Sequence, residues 1–173
     1  SQNRDNVADT ISKLTNNLEK VYGLNPMLYN GILYKSAYPE KVKGNQYLSN
    51  SDYLKGTATI RGVKYKNLEL NYDIYKQELL LKYNNSNNIS NVIMVSKAWL
   101  EDFTIGNNRF IFYSSLEKPK RIYQVLGNDS ILLFYYWKKD LILDNAVGNS
   151  NLYFIPLKEL NILINNSLKK FHN

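Results

Sequence analysis

Apolar positions along the chain follow two different periods. Val7, Ile11, Leu14, Leu18 and Val21 recur at spacings of four and three, on one face of a 3.6-residue repeat. Asp5 or Asn3 supplies an N-cap, Gly23 a C-terminal stop, and Pro26 blocks resumption. The pattern predicts a helix over 1–23 whose apolar stripe docks against a sheet.

From Ile32 the period shortens to two. Ile32-Leu33-Tyr34 is a short apolar run ended by Pro39, and the polar stretch from Glu40 to Asp52 reads as a long loop. Thr57 to Arg61 and Val63 to Ile74 then flank a turn at Arg61-Gly62. In the longer run Leu68, Leu70, Tyr72 and Ile74 share one face, and Asn67, Glu69, Asn71 and Asp73 share the other. That alternation is the mark of an antiparallel strand with one wet side. Glu78–Tyr83, Ile89–Val95, Leu100–Ile105, Phe110–Tyr113, Ile122–Leu126 and Ile131–Trp137 continue the series. Asn84 to Asn88, Gly106-Asn107-Asn108 and Gly127-Asn128-Asp129 separate them with turn chemistry. Both faces of Ile131–Trp137 are apolar, so that strand should be covered on both sides.

Leu141–Leu143 and Leu152–Phe154 are shorter strand candidates around Gly148. Pro156 then stands at a natural first helical position. Leu157, Leu160, Ile164 and Leu168 form a stripe at helical spacing, and Lys169 and Lys170 suit a helix C-terminus. The expected fold is α+β and mainly antiparallel β: a curved meander sheet or half-barrel with an N-terminal and a C-terminal helix. Residues 1–173 form one domain, with the first helix over 1–23, the sheet over 30–155 and the second helix over 156–171.

Composition narrows the chemistry. A chain of 173 residues with 44% hydrophobic positions supports one packed core. With no cysteine and only His172 as histidine, thiolate nucleophiles, zinc–thiolate sites, histidine triads and multi-histidine metal centres are excluded. No glycine loop of a nucleotide-binding type is present. Glu69 and Asp73 share a strand face but stand roughly 13 Å apart, and with Glu101-Asp102 they read as solvated carboxylates. No catalytic, cofactor-binding or metal-ligating residue is expected, and no cofactor.

The net charge is +7, yet only Arg4, Arg61, Arg109 and Arg121 of the 22 cations are arginine. Arginine is favoured for bidentate phosphate and base-edge contacts, so its scarcity argues against sequence-specific nucleic-acid reading. Lysines cluster at Lys35, Lys41 and Lys43, at Lys64 and Lys66, at Lys118 and Lys120 beside Arg121, and at Lys138 and Lys139. Lys64 and Lys66 alternate with Val63 and Tyr65, as in an edge strand with protective lysines. Fifteen tyrosines suit half-exposed sheets and interfaces, because each buries a ring and keeps a wet hydroxyl.

Three segments carry a resemblance. They are Asn30-Gly31 with Tyr34; Gly56 to Ile74, with Tyr65-Lys66-Asn67 and Tyr72-Asp73-Ile74; and Tyr123-Gln124-Val125-Leu126. Their order over residues 30–155 resembles a group of uncharacterised exported proteins of Bacteroidota. It is more weakly similar to periplasmic half-barrels that carry lipoproteins or lipids. The resemblance implies a β-rich fold and a cell-envelope location, and it carries no catalytic residues. The Ser1-Gln2-Asn3 start and the lack of cysteine fit a periplasmic or envelope-associated chain after signal-peptide removal. No run is long and apolar enough for a membrane-spanning helix.

The expected function is a non-enzymatic exported interaction or scaffold protein that binds an envelope protein. Its contacts would come from the tyrosine-rich sheet or the Lys41–Asn50 loop. The alternative is a periplasmic carrier holding a lipid or other apolar ligand in a cavity walled by residues such as Leu68, Leu70, Ile131 and Leu133.

Overall fold

The computed structural model describes residues 25–36, 38, 42–50, 52–85, 87–114, 119–128, 131–144, 151–164 and 167–171. A single helical turn, α1 (Pro26–Tyr29), precedes twelve strands. These are β1 (Ile32–Leu33), β2 (Val42–Lys43), β3 (Leu54–Ile60), β4 (Val63–Asp73), β5 (Glu78–Asn84) and β6 (Ser90–Met94). They continue with β7 (Leu100–Ile105), β8 (Asn108–Tyr113), β9 (Arg121–Asn128), β10 (Ile131–Asp144), β11 (Asn151–Ile164) and β12 (Ser167–Lys170). All belong to one open sheet in the order β1-β6-β5-β4-β3-β7-β8-β9-β10-β11-β12, and β2 pairs with β11 in parallel. Every other strand pair is antiparallel.

Among the described residues one helical turn stands against twelve strands, so the fold is nearly all β rather than α+β. The helix expected over 1–23 lies outside the described residues. The helix expected over 156–171 is not formed: residues 156–164 belong to β11, and 167–170 form β12. The stripe Leu157, Leu160, Ile164 and Leu168 matches a helical repeat, but pairing overrides it. Twelve consecutive residues of β11 find partners on β10, from Asn151 against Asp144 to Ile162 against Leu133. Ile164 also pairs with Ser167, so β11 and β12 are antiparallel neighbours.

Pro156 is tolerated in mid-strand because of where its nitrogen points. Its partner Lys139 turns its own amide away from β11, toward the carbonyl of Ile74. The Lys139–Pro156 pair is therefore a non-hydrogen-bonded one, and the proline nitrogen, which has no proton to donate, faces the outer side of β11.

The sheet is rolled. β4 and β10 are five positions apart in the strand order, about 24 Å in a flat sheet. Yet the turn that follows β4 touches β10 directly: the Lys139 amide donates to Ile74 O (3.3 Å), and Gln77 Nε2 donates to Trp137 O (2.8 Å). The main core fills the rolled side with Ala58, Ile60, Leu70, Tyr72, Ile74, Leu79, Leu81, Ile93, Phe103, Ile105 and Phe110, with Leu28 from α1 packed among them. Phe103 and Phe110 stack at 4.8 Å, and the Tyr72 ring meets both edge-on. A second cluster on the opposite face of β8–β12 gathers Tyr123, Phe134 and Leu168 with Ile111, Val125 and Leu163.

Two β-bulges adjust which residues point inward. The first lies in β4, where Gly56 pairs with Leu68 but Ala58 pairs with Tyr65. Asn67 there has φ 58°, and the extra residue turns both Tyr65 and Leu68 toward the core. In β7 the extra residue is Glu101, so that Leu100 and Phe103, three apart, are both buried.

Gly56 is fixed by close backbone approach. A Cβ there would run into the carbonyl oxygen of Thr104 on β7 and lie 3.1 Å from Leu70 Cδ1. Gly62 meets nothing within 4 Å and is required only by its φ of +76°. Gly56→Ala should therefore lose about 2–3 kcal/mol of stability by overpacking, and Gly62→Ala about 1 kcal/mol by conformation alone. Denaturant midpoints of the two variants check the ratio; equal losses would mean that β3 and β7 do not approach this closely.

Candidate interaction surface

The wet face expected for β4 is half buried. Asn67 is exposed and Glu69 reaches Lys55 at 3.4 Å, but Asn71 and Asp73 are fully buried. What covers them is the stretch expected as the Glu40–Asp52 loop. β3 pairs β4 only as far as Leu70, and Gln46–Leu48 takes the vacated side: Leu48 N donates to Tyr72 O and Ile74 N to Gln46 O, each at 2.9 Å. Val42 and Lys43 pair with Leu152 and Tyr153 of β11. The stretch proposed as a partner-binding loop is thus largely an internal strap.

Asp73 is the hub of this region. Its Oδ1 accepts from the amides of Tyr75 (3.0 Å) and Lys76 (2.8 Å), closing the β4–β5 turn, and its Oδ2 accepts from the Tyr34 hydroxyl (2.8 Å). Tyr34 Oη in turn accepts from Gln46 Nε2 (3.0 Å). Asp73, Tyr34 and Gln46 thus satisfy one another, whereas the buried hydroxyl of nearby Tyr38 makes no hydrogen bond among the described residues. Burial, with Asp73 adding to it against the bond from Gln46, pushes the Tyr34 hydroxyl well above the ordinary tyrosine range. Burial likewise raises Tyr38 and Tyr72, and takes Tyr53 up to about 12.

Lys139 clamps the strap to β10. Its Nζ donates to Asn45 O (2.8 Å), Asn45 Oδ1 (3.3 Å) and Tyr47 O (2.7 Å). Burial lowers its pKa, and the charge of Asp73 opposes the shift. Further along the strap, Tyr38, Tyr75 and Phe154 form three edge-on ring contacts at 5.1–5.7 Å. Tyr38 and Tyr75 thus serve internal packing.

The strap pairs with β11 at Leu152 and Tyr153, and Tyr38 and Tyr75 cover Phe154, so the outer half of the β10–β11 hairpin is an arm covered on one face and open on the other. On one face of the arm Ile142 pairs with Tyr153, Asp140 with Ile155 and Lys138 with Leu157. Alternation puts these six side chains together, in line with Phe134 and Tyr136 of the second core. Ile142, Ile155 and Leu157 are 46%, 40% and 43% exposed. Lys138 and Asp140 form an ion pair at 2.8 Å beside them, and Lys43 reaches the Tyr153 ring at 5.2 Å. The separate short strands read at Leu141–Leu143 and Leu152–Phe154 had concealed this strip, because they are the ends of two long paired strands.

Leu68 and Leu70, taken as walls of an apolar cavity, are buried in the main core. Two surface depressions of about 370 Å³ each are lined by other residues, one around Trp99 and Phe112 and one around Gly31 and Met94. Lys64 and Lys66 are exposed while Tyr65 packs inward, so that strand offers no aromatic face beside its lysines. Among the described residues no group of three or more His, Asp or Glu side chains is gathered as a metal site would need. Comparison of the chain with protein-family models, with curated proteins and with solved structures gives no match.

Two outcomes are expected from the buried network. Lys139→Met leaves the carbonyls of Asn45 and Tyr47 without their donor and should lower stability by about 1–3 kcal/mol in denaturant titration. Tyrosines of the unfolded chain ionise near pH 10, whereas Tyr34 and Tyr72 keep their protons in the fold. Their contribution is complete below about pH 10 and is lost as the pH rises above it. Lys139, with its lowered pKa, acts in the opposite sense just below that range, its cost being relieved as the pH rises toward the ordinary lysine value of about 10.4. Melting temperature should hold up to about pH 9 and then fall, in step with tyrosinate absorbance, and Tyr34→Phe should flatten the fall.

Proposed function

We propose that the protein is a non-enzymatic interaction protein of the bacterial cell envelope that binds a protein partner through the β10–β11 arm. The observation that carries this reading is the apolar strip of Ile142, Tyr153, Ile155 and Leu157. Single exposed leucines or isoleucines are ordinary on a protein surface. Here four apolar side chains share one face over three successive cross-strand positions, which is the kind of continuity that marks a contact surface. The ion pair Lys138–Asp140 and the cation of Lys43 supply the polar border typical of such a surface. Burial of the strip by a partner gains about 25 cal/mol for each Å² of apolar area removed from water.

The envelope location is supported by composition and by the resemblance of residues 30–155 to exported β-rich proteins. A chain without cysteine avoids stray thiol oxidation in an oxidising compartment.

Ile155→Lys combined with Leu157→Lys should leave the fold intact, because both side chains already reach solvent and lie outside the two cores. A photo-crosslinking residue at position 153 in native cells should give a discrete adduct with one envelope protein, and the double lysine variant should abolish it. No adduct, or one that survives both lysines in a folded protein, would remove the arm as the contact surface.

A further inference from the structure

The turn between β3 and β4 carries an arginine where its backbone favours asparagine or glycine. Arg61 and Gly62 have φ values of 49° and 76°, the paired left-handed conformation of a two-residue hairpin turn for which Asn-Gly is preferred. Other non-glycine residues in this conformation have local reasons: Asn50, Asn67 and Asn88 tolerate it, and Gln77 bonds through its side chain to Ile74 and Trp137. Arg61 bonds to nothing in its own turn. Its guanidinium lies flat against Trp99 instead, 3.5 Å from the ring centroid.

The surroundings hold it there. The Arg61 amide donates to Trp99 O (3.1 Å), and the Gly62 amide donates to Glu101 Oε1 (2.7 Å). Glu101 is the bulged residue of β7, so turn and bulge brace one another. Across from them, Lys120 Nζ stands 4.9 Å from the centroid of Phe112. Arg61, Trp99, Leu100, Glu101, Phe112 and Lys120 line the open depression of about 370 Å³. Among the described residues neither cation has a carboxylate partner, and the one carboxylate of the depression is engaged by Gly62.

We propose that this depression binds a carboxylate side chain of an acidic peptide segment. A stacked guanidinium is fixed in plane with its N–H edge free, which is the geometry that grips a carboxylate through two parallel hydrogen bonds. Lys120 supplies a second charge, and the partly exposed rings of Trp99 and Phe112 accept an apolar neighbour of the acid. The net charge of +7 steers acidic segments toward the protein. A nucleic-acid strand is the poorer fit, because bases need open ring faces and each ring here has a cation over a face. The site is separate from the arm and stands whether or not the arm binds a partner.

The test uses the full chain and a fluorescein-labelled peptide of alternating glutamate and leucine, followed by anisotropy at low salt. Its lysine–leucine counterpart and an oligothymidine serve as comparisons. Only the acidic peptide should bind, more weakly as salt is added. Arg61→Asn converts the turn to Asn-Gly and keeps the hairpin, yet it should weaken binding about tenfold or more, as should Lys120→Ala. Ile155→Lys with Leu157→Lys should leave this binding unchanged, which separates it from the arm. Three results would overturn the assignment: no binding of the acidic peptide, full affinity in a folded Arg61→Asn variant, or tighter Arg61-dependent binding of oligothymidine.

Discussion

Strand β10 finds hydrogen-bond partners on its β9 side well beyond the end of the ladder with β9, and the roll of the sheet depends on them. β9 pairs with β10 only between Ile131 and Tyr135. The backbone groups next in phase on that edge are those of Trp137 and Lys139, and both are taken by the β4–β5 turn through Gln77 and Ile74. The turn thus replaces β9 as the neighbour of β10. Unpaired backbone groups in a half-buried strand are costly, so this substitution fixes how far the sheet must curl. Once curled, β4 brings Tyr72 and Ile74 to one side of the turn and Asp73 to the other. The strap at Gln46–Leu48 then has a vacant strand edge to bind.

Side chains finish what the backbone begins. Gln77 accepts from the Tyr72 hydroxyl (2.7 Å) while donating to Ile74 O and Trp137 O, so one amide joins core, turn and seam. Gln124 does the same one layer away, accepting from Trp137 Nε1 (2.6 Å) and donating to Asn108 Oδ1 (2.9 Å). Tyr, Trp, Gln and Asn suit these positions because each fills apolar space and carries a group that must be satisfied there. Such networks specify one arrangement of strands more sharply than apolar packing does. Among the tyrosines, Tyr34 and Tyr72 place their hydroxyls in such seams, whereas the buried hydroxyls of Tyr38 and Tyr123 make no hydrogen bond among the described residues.

This explains what could be read from the sequence. The run Val63–Ile74 and the hairpin turns at Arg61-Gly62 and Gly106-Asn107 rest on local chemistry, alternation and positive φ, and are visible in a few consecutive residues. Asn71 and Asp73 look wet for the same reason: their alternation is local, whereas the strap that buries them arrives from 25 residues upstream and carries little pattern of its own. The C-terminal stripe fails differently. Leu157, Leu160, Ile164 and Leu168 keep helical spacing, yet in β11 Leu157 falls on the face opposite Leu160 and Ile164, and only the long partner strand decides for pairing. The apolar strip of the arm needed the register of β10 against β11, and the Arg61 site needed a bulge that displaces Glu101; neither is written in spacing.

The edges of the sheet constrain how this protein associates. β12 ends in Lys169 and Lys170, and β1 has only two paired residues, with Tyr34 continuing onto Val92. On the outer side of β11, Pro156 offers no proton where a further strand would need one, and Lys158 is exposed next to it. Short strands, lysines and proline are the devices by which open sheets resist edge-to-edge pairing. β10 is guarded by the seam with the β4–β5 turn. With the described edges blunted in this way, adding a strand is the less favourable route to a partner. The two proposed contacts, across the apolar face of the arm and into the cationic depression by the β3–β4 turn, would both run through side chains and need no free strand edge.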